Sequence, residues 1–273
     1  MEVSLLQLLE SSAYNRWYKF PFGTQPNASR KKYLQLFRKV QKEKYEEIET
    51  YERESGFSID LEWLDELALH TQVVIKESSL CYAHGRVLYA ALSKYLGDNP
   101  SQSPSERINI WETGTARGFS ALCMAKALKD QKRSGLVMTF DLLPHWSPMF
   151  WNCIDDLDGP RTRSELLHPW KDLLEDYVVF HQGNIRLELP KVQIERIHFA
   201  FLDGAHTYKD VHFEFEQIKD RQKKGDMIIY DDYTPQTFPG LTKAVEEICE
   251  KHHYHLFELK ANESRGYAVA IKV

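Results

Sequence analysis

The 273-residue chain has only four cysteines, Cys81, Cys123, Cys153 and Cys249, with no C-x-x-C pair and no short-loop framework among them. That spacing removes the disulfide-scaffold and zinc-ribbon classes, and a reducing cytoplasm is the expected setting. No apolar run approaches the ~18 residues needed to span a bilayer. The amino-terminal stretch MEVSLLQLLESSAY carries Glu2 and Glu10 where a signal peptide would have a basic region, so no secretory leader is expected. Cationic excess is also missing. Lys plus Arg is 35 against 40 Asp plus Glu, a net charge of -5, so neither nucleic acid nor an anionic membrane is expected as a partner. Low-complexity tracts are absent, and 42% hydrophobic residues with 12% aromatics describe a globular chain able to bury a core. Its length suits one large domain, or one domain with a substantial appendage.

Strand signal is nearly absent before about Leu96. Tyr33, Phe37, Val40, Ile48 and Tyr51 follow a three-to-four spacing that predicts one helix over Arg30 to Glu54, stopped by Gly56. Further helices are expected over Leu61 to Val74 and Leu80 to Leu96, the latter halted by Gly97-Asp98-Asn99-Pro100. A Ser/Pro loop at Ser101 to Arg107 then marks the boundary, giving a helical extension over 1–100 and a second domain over 101–273. Such a helical set buries too little surface unaided, so it is expected to act as a lid or as a homo-oligomer arm over an acceptor site.

Beyond the boundary, short apolar runs alternate with helical periods. Ile108 to Trp111, Leu136 to Phe140, Val178 to Phe180, Ile197 to Leu202 and Met227 to Tyr230 read as strands. Ala121 to Leu128, Tyr208 to Lys223 and Leu241 to His252 read as helices. A doubly wound α/β sheet, Rossmann-like and mostly parallel, accounts for that alternation. Tyr254 to Leu259 and Tyr267 to Val273 are joined by too few residues for a crossover helix and must form an antiparallel hairpin.

Chemistry-bearing residues gather where strands end. After the first strand stands Glu112-Thr113-Gly114-Thr115-Ala116-Arg117-Gly118, two glycines before a helix start, a cradle of nucleotide type. Ala116 takes the place of the second glycine of the dinucleotide fingerprint, which weighs against nicotinamide or flavin. Asp141 closes the second strand, where a carboxylate can accept ribose hydroxyls or cap a turn. Asp203-Gly204-Ala205-His206 and Tyr230-Asp231-Asp232-Tyr233 follow two later strands. Three carboxylates converging there repel one another unless a cation or proton offsets them, and an oxygen-only set suits a hard ion such as Mg²⁺. Asp155, Asp156, Asp158 and Gly159 lack calcium-loop spacing and read as a turn. His145 and Trp146 suit either an adenosine flank or packing.

The run ETGTARGFS, Asp141, LDGAHTYKDVHFEF, KKGDMIIYDDYTPQTFPGLTKAVEE and the closing hairpin together resemble a class I S-adenosylmethionine-dependent methyltransferase. Among these they are most similar to the metal-dependent sugar O-methyltransferases of the macrocin and mycinamicin type, over about Leu80 to Val273. The resemblance implies S-adenosylmethionine and Mg²⁺ as cofactors and a small natural-product hydroxyl acceptor, a sugar or glycoside. It puts Glu112, Gly114 and Gly118 at the cofactor's methionine end, Asp141 at its ribose, Asn184 near its adenine, and Asp203, Asp231 and Asp232 on the metal. Asp203 so counts both as a metal ligand and as a residue of the cofactor site. His206 is then the first candidate base for the acceptor hydroxyl and Asp203 the second. Two other functions stay open: a catechol-type enzyme, favoured if Trp17, Trp63, Trp146 or Trp151 lines the acceptor site, and a non-catalytic adenosyl-binding module.

Overall fold

A computed structural model describes residues 20–100 and 106–273; Trp17 and most of the expected Ser/Pro boundary lie outside the described residues. The described residues open with helices α1 (Arg30–Val40), α2 (Glu46–Ser55), α3 (Leu61–Thr71) and α4 (His84–Asp98). Ser29 caps α1 and Asp60 caps α3, each side chain accepting a backbone N–H of the first turn, while Gly56, at φ +78°, ends α2. The single helix expected over Arg30 to Glu54 is therefore two. At helical spacing Lys44 would fall between Val40 and Ile48 on the apolar stripe; breaking the helix at 41–45 turns the lysine outward and lets Tyr45 bury instead.

The sheet follows: β1 (Ile108–Thr113), α5 (Phe119–Asp130), β2 (Gly135–Asp141), α6 (Arg163–Leu166), α7 (Lys171–Tyr177), β3 (Val178–Gln182), α8 (Ile185–Glu188), β4 (Phe199–Leu202), α9 (Tyr208–Glu216), β5 (Met227–Tyr230), α10 (Pro239–Lys251), β6 (Tyr254–Asn262) and β7 (Arg265–Lys272). The order across the sheet is β3-β2-β1-β4-β5-β7-β6, parallel through β5 and antiparallel for β7 and β6. This is the mostly parallel Rossmann-like sheet with a reversed hairpin that the alternation and the short Lys260–Gly266 connection required. Strands β4 and β5 are buried at every position, as central parallel strands covered on both faces must be.

Each face has its own core. Ile110, Val137, Phe201 and Ile229 point to the face covered by α4, α5 and the amino-terminal helices. Trp111, Phe140, Leu202 and Tyr230 point to the face covered by α9 and α10. Tyr33, Ile48, Leu64 and Leu67 are fully buried in the first core, so α1 to α3 lean on the sheet's own helical layer. Polar ties reinforce that packing: Arg86 of α4 pairs with Glu52 of α2, and Tyr82 donates to Asp65 at 2.6 Å. Asp155, Asp156 and Asp158 form a 3₁₀ turn, as a turn was expected, with Asp155 bound to His70 at 2.6 Å and to Arg161 at 3.0 Å.

Candidate active site

The β1 loop is held from several sides. Gly114 has φ +87°, and a Cβ there would sit 2.1 Å from the carbonyl oxygen of Asp203. The sequence suggested that this glycine lets a ligand approach; in the structure the protein's own β4 loop lies where its side chain would be. Asp203 N–H donates to Thr113 O at 3.1 Å, so the β1 and β4 loops run in backbone contact. Ala116, in the fingerprint's glycine position, is itself left-handed at φ +44°. Two side chains hold it there: its N–H donates to Asp141 Oδ2 at 2.6 Å, and its carbonyl accepts from Arg163 Nε at 3.0 Å. Gly118, also left-handed at φ +87°, leads into α5 with Leu167 where a side chain would lie.

Glu112 is completely buried at the head of this loop, and neither carboxylate oxygen has a hydrogen-bond partner. Burial pushes its carboxyl up to about 7, with the nearby Ser120 and Thr139 hydroxyls pulling it the other way. An orphaned buried carboxyl above two left-handed glycines fits the ammonium of an amino-acid cofactor end. Asp141 is committed to the loop amides of Ala116 and Leu143, the latter at 2.8 Å, leaving its remaining lone pairs for any ribose. Asn184 caps α8, accepting from Arg186 N–H at 3.0 Å. His145 packs flat on Phe180 at 4.2 Å, whereas Trp146 beside it is 74% exposed.

Asp203, His206, Asp231 and Asp232 do come together. His206 Nε2 stands 3.5 Å from Asp203 Oδ1 and 3.3 Å from Asp232 Oδ2, and the Asp203 carboxylate raises its pKa above 6.5. Asp231 is 3% exposed and Asp232 is left-handed at φ +54°; burial drives both carboxyls upward, most strongly at Asp231. Into this cluster reaches a residue that the sequence did not single out. Arg265 Nη1 lies 2.9 Å from Asp231 Oδ2 and 2.7 Å from Asp232 Oδ1. Lys76, exposed on the 74–80 segment, is electrostatically coupled to the same three side chains.

The residues as arranged do not fit Mg²⁺. One oxygen each of Asp231 and Asp232 already holds a guanidinium nitrogen, so an ion seated on those carboxylates at ~2.1 Å would press one cation against another, even though Asp231 Oδ1 is left buried without a partner. Among the described residues, no group of three His, Cys, Asp or Glu side chains forms a metal site. Arg265 had no local signal, because its importance arises from register. Gly266 O accepts from Tyr233 N–H at 2.9 Å, and a Cβ on Gly266 would lie 2.6 Å from Tyr233 O, so only a glycine lets the hairpin deliver Arg265 to the β5 loop.

A cavity of about 790 Å³ opens beside Lys76, between α1, residues 74–80 and the β6–β7 turn. Its polar lining includes Lys32, Lys39, Glu77, Ser78, Asn262 and Ser264, and none of the tryptophans among the described residues. Trp151 is buried, with its indole N–H donating to Arg161 O at 2.7 Å, and Trp63 faces Lys126.

Residues 111–233 match the family model of a methyltransferase domain. No curated protein matches the chain. Among solved structures, the O-methyltransferase NovP is similar at 17% identity over 73% of this chain and 83% of its own, with a TM-score of 0.54. The O-methyltransferase TomG from Streptomyces achromogenes, involved in tomaymycin synthesis and solved with S-adenosylmethionine, has 15% identity over 79% and 92%, at 0.52. An O-methyltransferase from Bacillus cereus, in complex with S-adenosylhomocysteine, has 16% identity over 87% and 96%, at 0.50. At these identities the likeness is one of fold, and the fold is that of class I methyltransferases.

Proposed function

We propose that the methyltransferase domain of this chain transfers the methyl group of S-adenosylmethionine to a hydroxyl of a small polyhydroxylated acceptor, a sugar or glycoside. One observation carries the reading: the backbone contact between Gly114 and Asp203 sets the glycine loop against the loop bearing Asp203 and His206. A methyl donor held on the first loop is then within reach of a hydroxyl held at the second, and much of the rate of an in-line displacement comes from such alignment. When bound, the cofactor supplies an activated methyl on a sulfonium. The chain's residues do the rest. Glu112 receives the donor's ammonium, Asp141 and Arg163 keep the loop in its left-handed turn, and His206 takes the acceptor's proton.

His206 suits that task because two carboxylates flank its Nε2, so the imidazolium formed by proton capture is stabilised where it forms. Asp203 is the alternative base. The acceptor lies in the cavity beside Lys76, which couples it to the Asp231–Asp232 pair; the cavity's Lys, Glu, Ser and Asn groups can hold a polyol's hydroxyls, and Leu36, Val40, Ile75 and Leu80 its apolar faces. Since α1 supplies Lys32 and Lys39 to one wall, the amino-terminal helices serve as the lid of that cavity.

Calorimetry with S-adenosylhomocysteine, followed by methyl transfer from S-adenosylmethionine to panels of sugars, glycosides and catechols, tests the proposal. Tight binding of the first and methylated sugar products are expected. Turnover of catechols alone would transfer the site to the planar-diol class. Binding without turnover on any hydroxyl acceptor would leave a non-catalytic adenosyl-binding module.

A further inference from the structure

We infer that Arg265 is the resident cation of the carboxylate cluster, standing where the sequence resemblance expects a divalent metal, so that the cluster is compensated by a side chain and binds no divalent ion tightly. The inference takes the expected ion from the methyl-transfer reading above, but the charge arrangement stands on its own geometry.

Three aspartates close on one small volume, and Asp231 is almost wholly removed from water. Left alone, such a cluster would take up a proton or an ion. Here a single guanidinium nitrogen bridges Asp231 Oδ2 and Asp232 Oδ1 at 2.9 and 2.7 Å, distances of charge-assisted hydrogen bonds. His206 closes the other side between Asp203 and Asp232, and Lys76 contributes a further positive field. The placement of Arg265 is built into the backbone. It opens β7, whose antiparallel pairing with β5 and whose Gly266 contact with Tyr233 fix its start against the β5 loop. Its side chain is 20% exposed, and a guanidinium keeps its charge at every working pH, so the compensation is permanent. A divalent ion drawing on both aspartates, even through the unpartnered Asp231 Oδ1, would sit against a guanidinium already paired with each of them. Arg265 is thus a positioning residue: it sets the charge and orientation of Asp231 and Asp232 beside the acceptor cavity.

The test reads ion binding directly, apart from turnover. Depletion of the free Mn²⁺ signal in electron paramagnetic resonance is titrated for the wild-type chain, Arg265→Ala, Arg265→Lys and the double variant Arg265→Ala/Asp232→Asn, each shown to be folded by circular dichroism. Weak binding is expected for the wild type and for Arg265→Lys. Arg265→Ala should bind about tenfold or more tightly, a gain that the added Asp232→Asn removes. If Arg265→Ala fails to fold, Arg265→Gln replaces it in the same titration. Wild-type binding that matches or exceeds that of the neutral variant and is lost in Asp232→Asn would overturn the inference, because the metal would then displace the arginine. Methyl transfer by the wild type after chelation is a separate arm: a chelator that abolishes it, with Mg²⁺ restoring it, would also overturn the inference. Methyl transfer absent under every condition would count against the proposed function alone.

Discussion

Glu112→Gln should make the protein more stable and a poorer binder of its cofactor, because the carboxyl is held in a place that suits a ligand better than it suits the fold. Glu112 is fully buried, and its pKa is pushed from 4.5 up to about 7. As pH rises through 4.5 the unfolded chain loses this proton while the folded chain keeps it until about 7, so stability falls across that window and stays lower above it. A shift of that size corresponds to ~3 kcal/mol at pH 8. Glutamine keeps the shape without the charge. Urea unfolding at pH 8 should therefore show the variant more stable by about 2–3 kcal/mol, with the difference vanishing near pH 4.5. Calorimetry should show S-adenosylhomocysteine binding weakened by about tenfold to a hundredfold, the scale of a lost charge-assisted hydrogen bond. Wild-type binding should also release a proton between pH 5 and 7, visible as a dependence of the binding heat on buffer ionisation enthalpy. A variant no more stable than the wild type at pH 8, or one that binds as tightly, would refute the argument.

Gly114→Ala should lower the melting temperature sharply or abolish soluble expression, since its Cβ meets a backbone oxygen at 2.1 Å in a left-handed conformation; an unchanged thermal unfolding curve would refute this. His206→Ala should reduce kcat by about a hundredfold with S-adenosylhomocysteine affinity preserved, and the wild-type rate should rise with pH through a pKa above 6.5. A near-normal His206→Ala rate beside an inactive Asp203→Asn would move the base to Asp203. Glu52→Ala should cost ~1.5–3 kcal/mol in urea unfolding by removing the close partner of the nearly buried Arg86, which keeps only Glu49 at 3.9 Å, while a loss below ~0.5 kcal/mol would mean that α2 is only loosely joined to α4.

The sheet was legible because central parallel strands announce themselves as short, unbroken apolar runs, and the closing hairpin because its connection is too short for any other pairing. The amino-terminal break was not legible, because the stripe from Tyr33 to Tyr51 satisfies helical spacing while hiding that Lys44 lies in its middle. At the candidate site, the residues whose own loop places them could be read from motif and position: Glu112, Gly118, Asp203, His206 and the Asp231–Asp232 pair. Gly114 could be read as a place where a side chain is excluded, and the structure adds that the β4 loop occupies the side chain's space.

Arg265 lay furthest out of reach. It is 33 residues from Asp232 along the chain, in a segment whose only visible feature is a turn, and it reaches the cluster through the β5–β7 register and the Tyr233–Gly266 contact. Charge balance did give a clue: three converging carboxylates require a counter-charge, and that requirement is independent of the charge's source. A motif compares this chain with proteins that meet the requirement with an ion; only the fold reveals that a side chain can meet it instead. The carboxylates alone therefore cannot decide metal dependence. The residue facing them across the sheet must be known, and here that residue is a permanent cation within hydrogen-bonding distance of two of the three.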